Sequence, residues 1–440
     1  MTTSYLLRGG CVLTLGAKTP NFTEADVLIG DGKVVEVGRG LRARDAEIVD
    51  AADTIVMPGF VDTHRHAWTS LFRNLGDSWG GDRVSTSALR DSLEPDDVYA
   101  ATLIGLLGAA EAGTTTVVDW SDLHADHPSV DAALRAHADA GLRTVFVAVG
   151  GERDAAFPVR VDALSRLAGL AGPSTTVAFG SPGAVLRDLD RVAADWSVAR
   201  ELGFRIFAHA GSGSVAAGTI AALGARGLLG EDVTLVHLST ADDADLGAIA
   251  ESRASVSLAP SSEMAGGAGS PPIQALMDRE IRPGLSVGDE RLAPGDMFAQ
   301  MRATISLQHA TVFDRKLMGK AGLPRLMTTR DVIRFATVEG ARAAGLARVS
   351  GSLAPGMAAD IVTLRTDRPN IFPVNDPIGA VVWGMDTSNV DHVFVGGRAV
   401  VRDGVLQGDL DHVRAAASSA RDRVAAAAGH VVGAARGERA

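Results

Sequence analysis

The sequence predicts an α/β chain: a (β/α)8 barrel with a small β-sandwich built from both chain ends. Three observations lead there. Eight short, apolar, β-branched runs alternate with helical stretches between residues 55 and 287. A strand texture punctuated by Gly and Asp opens the chain and returns after residue 351. Histidines and a carboxylate recur at the downstream ends of the barrel runs.

The first 57 residues read as strands Tyr5–Arg8, Cys11–Leu15, Asp26–Ile29 and Lys33–Gly38, with Gly30-Asp31-Gly32 as a hairpin turn. Residues 352–408 repeat the texture at Ala359–Leu364, Ala380–Val382, Val390–Val395 and Arg398–Arg402, turning at Gly396-Gly397. Neither end supplies enough strands for a unit of its own, so the two are expected to share one. Residues 58–351 form the expected barrel, entered through Ile55–Asp62 and continued by Thr115–Trp120, Arg143–Val149, Thr175–Gly180, Arg205–Ala210, Val233–Leu238, Ala254–Leu258 and Ile281–Val287. Helices Asp96–Ala112, Ser129–Ala140, Val185–Leu202 and Asp242–Glu251 fill gaps between them. Near-continuous apolar strands alternating with helices indicate a parallel sheet covered on both faces. Eight such units suit a closed barrel, and the glycine-rich phosphate loop that an open doubly wound sheet would place after its first strand is absent. Residues 409–440 are rich in Ala and Arg and predict a helix, Leu410–Arg436, for packing or for subunit contact in a homo-oligomer.

Composition narrows the function. Apolar residues make up 46% and charged residues 22% of 440, an ordinary globular balance. The net charge of -11 argues against nucleic acid and anionic membranes as partners and leaves a small-molecule substrate. The single cysteine, Cys11, excludes an internal disulfide. The opening residues do not read as a secretory leader, and no apolar run is long enough to span a bilayer; a cytoplasmic protein is expected. Lysine occurs only at positions 18, 33, 316 and 320, which removes lysine chemistry from nearly all of the barrel.

Barrels of this kind carry their chemistry at the carboxyl ends of the strands. The first run ends Val61-Asp-Thr-His-Arg-His66, the fifth at His209, the sixth at His237 and the eighth at Asp289. Residues two apart share a strand face, so His64 and His66 can both face the barrel mouth. With His209 and Asp289 they make a suitable shell for one borderline divalent metal ion. Trp68 and Trp120 stand near the same rim as candidate stacking surfaces for a planar substrate. Asp119, His124 and His127 lie at or just beyond the second run, and Glu290, next to Asp289, should face away from it.

The segment Met57-Pro-Gly-Phe-Val-Asp-Thr-His-Arg-His66, with His209, His237, Asp289 and Gly351-Ser-Leu-Ala-Pro-Gly-Met-Ala-Ala-Asp-Ile-Val362, resembles the amidohydrolase superfamily. Within it the chain is similar to the branch of cytosine deaminase, guanine deaminase and the triazine hydrolases (chlorohydrolase-like), over about residues 5 to 408. The resemblance implies a mononuclear zinc or iron centre, zinc preferred, held by His64, His66, His209 and Asp289. Two-metal relatives bridge their ions with a lysine at the end of strand four, and Thr175–Ser181 contains none. A divalent ion generates hydroxide at neutral pH, which attacks an sp2 carbon. Asp289 is then the proton acceptor and His237 the hydrogen-bonding partner of the hydroxide or oxyanion.

One position departs from the pattern. Deaminases of this branch carry a glutamate three residues after the strand-five histidine, and here that residue is Ser212. A hydroxyl cannot replace a carboxylic acid at neutral pH. Glu263, in Ala259-Pro-Ser-Ser-Glu263 after strand seven, is the candidate substitute, as displaced acid or as a contact for a cationic substrate group. The expectation is an aminohydrolase on a nitrogen heterocycle or related C–N substrate. Two alternatives stand beside it: an amide or cyclic-amide hydrolase using Asp289 alone, and a ligand-binding relic weakened by the loss of the glutamate. Deaminases that bind zinc through Pro-Cys-x-x-Cys are excluded, because the chain has one cysteine.

Overall fold

The computed structural model describes residues 4–74, 86–149, 161–170, 172–211 and 215–427. The chain opens with β1 (Tyr5–Val12), β2 (Phe22–Gly30), β3 (Lys33–Gly38), β4 (Glu47–Asp50) and β5 (Thr54–Pro58). It continues through β6 (Phe60–Arg65), β7 (Thr114–His124), β8 (Arg143–Val149), β9 (Thr175–Ser181), β10 (Ile206–His209), β11 (Val233–Val236), β12 (Ser255–Leu258) and β13 (Gly284–Leu285). Four late strands follow: β14 (Ile361–Arg365), β15 (Val390–Val395), β16 (Arg398–Arg402) and β17 (Val405–Leu406).

Strands β6 to β13 pair in sequence order, all parallel, as the central barrel sheet. The ring closes between β13 and β6, where Gly288 N–H donates to His64 O (2.9 Å) and His66 N–H to Gly288 O (3.0 Å). Along the strands Val118, Val145, Val147, Ala178 and Phe207 pack in one cluster, while their alternates Val117, Phe146, Val177, Phe179 and Ile206 join the layer under the helices. That period of two is the one the apolar runs require of strands buried on both faces.

The remaining nine strands form one mixed sheet, ordered β17-β16-β15-β14-β5-β1-β2-β3, with β4 beside β1. The two chain ends meet where β5 runs antiparallel to β14, with Met57 opposite Val362 and Ile55 opposite Leu364. Tyr5, Leu7, Val27, Ile29, Ile361 and Phe394 share the core beneath it. The expected small β-unit is therefore one continuous sheet drawn from both ends. Arg143, at the start of β8, reaches across to it with bonds of 2.7 and 3.1 Å to the Asp360 carboxylate.

Several elements differ from expectation for local reasons. Ile55–Asp62 is two strands, because the chain leaves one sheet for the other at Gly59. A Cβ on Gly59 would lie 2.1–2.8 Å from Thr115, so only glycine fits the crossing. Tyr5–Arg8 and Cys11–Leu15 merge into β1 through register shifts around Gly10. Ala380–Val382 is helical, not extended: Asp376 accepts bonds from the N–H groups of Ile378 and Gly379, and Pro377 occupies the first helical position. Val185–Leu202 divides at Asp188, which caps helix Leu189–Glu201. The C-terminal helix, Leu410–Ala427, packs Ala417, Ala420 and Val424 against a cluster containing Trp68, Phe72 and Ala101. The expected continuation to Arg436 lies outside the described residues. Among the described residues no helix is long and apolar enough to cross a membrane.

Candidate metal centre

Three imidazoles meet at the carboxyl ends of the barrel strands. Ligand atoms of His64, His209 and His237 all lie within 4.8 Å of one another. His64, on β6, is fully buried, and its Nε2 faces His209 Nε2 at 3.3 Å. His64 Nδ1 is also buried and has no hydrogen-bond partner. Burial, reinforced by repulsion among the rings, holds His64 and His209 well below the ordinary histidine range. Neutral imidazoles crowded with facing nitrogens are the donor set a divalent cation takes. The residues present fit the ion that the sequence implies.

His209 arrives by strand periodicity, two residues after the inward Phe207. His237 arrives by strain. Its neighbour Val236 packs inward, so an unbroken strand would turn His237 outward. Backbone φ values of 79° at His237 and 105° at Leu238 re-aim the chain, and Gly211 makes room, since a Cβ there would sit 2.6 Å from Leu238 Cα. Such conformations cost about 1–3 kcal/mol and persist where surrounding structure holds them.

Two carboxylates orient the rings. Glu263 Oε1 lies 2.9 Å from His237 Nδ1 and accepts the Ala259 N–H at 2.9 Å. Asp122 Oδ2 lies 2.7 Å from His66 Nδ1 and accepts Trp68 Nε1–H at 2.9 Å. Burial lifts the Asp122 carboxyl, but the His66 charge and the bonds from His66 and Trp68 outweigh it and hold it down to about 2. For His66 burial works downward, and Asp122 reverses it. A carboxylate on Nδ1 leaves Nε2 to face the metal position, the usual arrangement behind a metal-bound histidine.

The structure places the expected site residues as follows. His237, expected outside the metal shell, stands within the three-ring cluster, and His66 lies beside it, its ring 4.9 Å from His64. Asp289, expected in the shell, turns its carboxylate to Arg291, whose Nε lies 3.1 and 3.0 Å from its two oxygens. Burial raises the Asp289 carboxyl, and the Arg291 bonds and charge bring it below its ordinary value. Glu263, expected to face the substrate, is 1% exposed and sits behind His237. Trp120 stacks on His209 (3.8 Å between centroids, 12° between planes). Trp68 is buried, with its N–H on Asp122. Ser212 lies outside the described residues.

Residues outside the shell have structural partners. Asp119 joins Ala67 N–H to His137 Nε2 (3.0 and 2.8 Å). Glu290 receives the buried Arg65 guanidinium and Arg73. His124 and His127 line a cavity of about 380 Å³ with Trp68, Ser121, Asp122 and Arg90. That is within the usual size of a small-molecule site. Sequence reasoning missed Asp122. Its signal was a second carboxylate three residues beyond Asp119 at the end of a barrel strand, carried at a φ of 55°.

Comparison with known proteins identifies the family. Residues 55–400 match the model of the amidohydrolase family. A 5'-deoxyadenosine deaminase of Methanothermobacter thermautotrophicus is 28% identical over 428 aligned residues, covering 92% of this chain and 94% of that protein. A 5-methylthioadenosine/S-adenosylhomocysteine deaminase of Desulfitobacterium hafniense is 27% identical, covering 91% and 94%. Among solved structures, a zinc-bound adenosine deaminase from Xanthomonas campestris superimposes with a TM-score of 0.79 at 20% identity, over 96% of this chain and 99% of that one. A mutant atrazine chlorohydrolase from Arthrobacter aurescens, complexed with zinc and atraton, gives 0.80 at 22%, over 95% and 100%. These two likenesses show the shared fold.

Proposed function

From the premise that this chain belongs to the amidohydrolase family, we propose that it is a metal-dependent aminohydrolase that deaminates a nitrogen heterocycle of the purine-nucleoside kind. The observation that carries the reading is the cluster of His64, His209 and His237, with the buried Glu263 carboxylate on His237. The curated relatives named above are deaminases of adenosine-type compounds over nearly the whole chain.

One divalent ion, zinc by preference, fits among His64, His66, His209 and His237, with Asp289 at the rim. When bound, it supplies the acidity that turns water into a nucleophile at neutral pH. The remaining work belongs to side chains. Glu263, by accepting at His237 Nδ1, leaves the Nε2 lone pair directed into the cluster. Asp122 does the same for His66. Arg291 keeps the Asp289 carboxylate ionised, the state in which it would take a proton from the attacking water and pass it to the leaving amine. Trp120 fixes the plane of His209 from behind. The absence of lysine from β9 supports a single ion.

The test is ammonia release by zinc-loaded protein from 5'-deoxyadenosine, 5-methylthioadenosine, S-adenosylhomocysteine, aminopyrimidines and aminotriazines. At least one should release ammonia, and His64→Ala with His209→Ala should abolish it. Ring opening of a cyclic amide with no ammonia from any amine would replace this reading with amide hydrolysis through Asp289.

A further inference from the structure

Far along the chain from the barrel histidines, the outer sheet carries a second set of metal-ligating groups. Asp391 and His392 on β15 and Asp403 after β16 place ligand atoms within 4.8 Å of one another. We propose that this is a second, exchangeable site for a borderline divalent cation such as zinc. His392 Nε2 and the Asp403 carboxylate are its protein ligands, and Asp391 orients the imidazole.

The backbone holds the two ligands together. Asp403 and Gly404 have φ of 50° and 73° and form the two-residue turn between the paired Arg402 and Val405. Asp-Gly is the sequence such a turn prefers. Gly404 N–H donates to Asp391 O at 2.7 Å, which pins the turn to β15. Asp403 is thereby held over His392 while its side chain stays 88% exposed.

The imidazole is poised for an ion. His392 is 7% exposed, and Phe394 lies parallel to it at 6.0 Å and 4°. Its Nδ1 lies 2.9 Å from Asp391 Oδ2, with Thr363 Oγ1 at 3.5 Å. An ionised carboxylate only accepts, so Nδ1 is the donor to Asp391, and in the neutral ring Nε2 is the nitrogen left to bind an ion. Nε2 makes no hydrogen bond among the described residues and faces Asp403 Oδ1 at 3.7 Å. Two ligands about 2.0–2.2 Å from a common ion span that distance at an angle of roughly 115–135°, close to tetrahedral. A carboxylate behind a histidine is also the arrangement that raises the basicity of a metal ligand.

The surrounding charge favours a cation. Six carboxylates and two arginines line the groove, which has a volume of about 400 Å³. Arg402 is taken up by Glu47 (2.5 Å) and Arg365 by Asp367 (2.6 Å), although Arg365 Nη1 also stands 4.0 Å from Asp391 Oδ1. With two protein ligands and water completing the shell, binding is weaker than in an all-protein site.

Equilibrium dialysis of the purified full-length protein against zinc, with metal counted per chain, tests this. Wild type should bind one equivalent more than Asp403→Asn and His392→Gln, or bind that equivalent at least tenfold more tightly. Asp391→Asn should weaken it by about 10–100-fold. Turnover should be unchanged in all three. Because the count is a difference, it does not depend on what the barrel histidines bind. Asp403 is exposed, so its variant keeps the fold, and an unaltered melting temperature without added zinc checks this. Equal stoichiometry and affinity in wild type and Asp403→Asn would overturn the proposal.

Discussion

The His237 imidazole joins His64 and His209 through a left-handed backbone and is held there by Glu263. In the proposed reading Glu263 acts on the substrate through the ring it orients. Glu263→Gln keeps an oxygen near His237 Nδ1 but removes the charge, and we expect turnover to fall about 10–100-fold, the usual effect of losing the partner of a ligand. A true proton donor would lose about 10²–10⁴. The size of the loss, measured under metal saturation, separates the two. Asp122 is the matching partner of His66. Asp122→Asn should weaken metal binding by about 10–100-fold in chelator competition. Affinity equal to wild type would remove Asp122 from the site.

At the level of elements, the crossing from β5 to β6 depends on one missing side chain. The Cβ of Gly59→Ala would collide with both the Cγ2 and Oγ1 of Thr115. Overpacking of this kind costs about 1–3 kcal/mol, which urea denaturation would resolve. Adding Thr115→Ala removes the two colliding atoms, so the double variant should recover part of the loss, a coupling that a double-mutant cycle reads directly. If the two changes simply add, the crossing is not limited by this contact. The same crossing places Met57 in one sheet and His64 in the other within a single short segment, so the first metal motif sits where the two sheets join.

At the level of the whole molecule, the Arg143–Asp360 pair is the buried electrostatic link between barrel and outer sheet. The side chains are 10% and 1% exposed. Asp360 also accepts the Gly396 N–H at 2.8 Å, so three elements depend on it. Asp360→Ala leaves a buried guanidinium without its partner and should destabilise the protein by about 3–5 kcal/mol. Replacing both residues by apolar ones of similar volume should cost much less. Calorimetric unfolding of the two variants tests this contrast, and equal losses would mean that the pair contributes through packing and not through charge.

The strand periodicity and the strand-end histidines were legible in the sequence because each depends on neighbours along the chain. Alternating apolar runs require a doubly covered parallel sheet, and strand geometry places His209 two residues beyond Phe207 on the same face. Family resemblance supplied the rest of the expected shell. The partners of those histidines were not legible. Glu263 lies 26 residues from His237, and Asp122 lies 56 from His66. Their roles follow from barrel closure, which brings the ends of distant strands to one rim. The left-handed turn at His237 and the Arg291 hold on Asp289 are likewise tertiary results. Local sequence sets which face a residue favours, and only the packed barrel sets which charged group lies behind it. That is why the strand-end histidines could be named from the chain alone, while the place of Glu263 behind His237 and of Asp122 behind His66 could not.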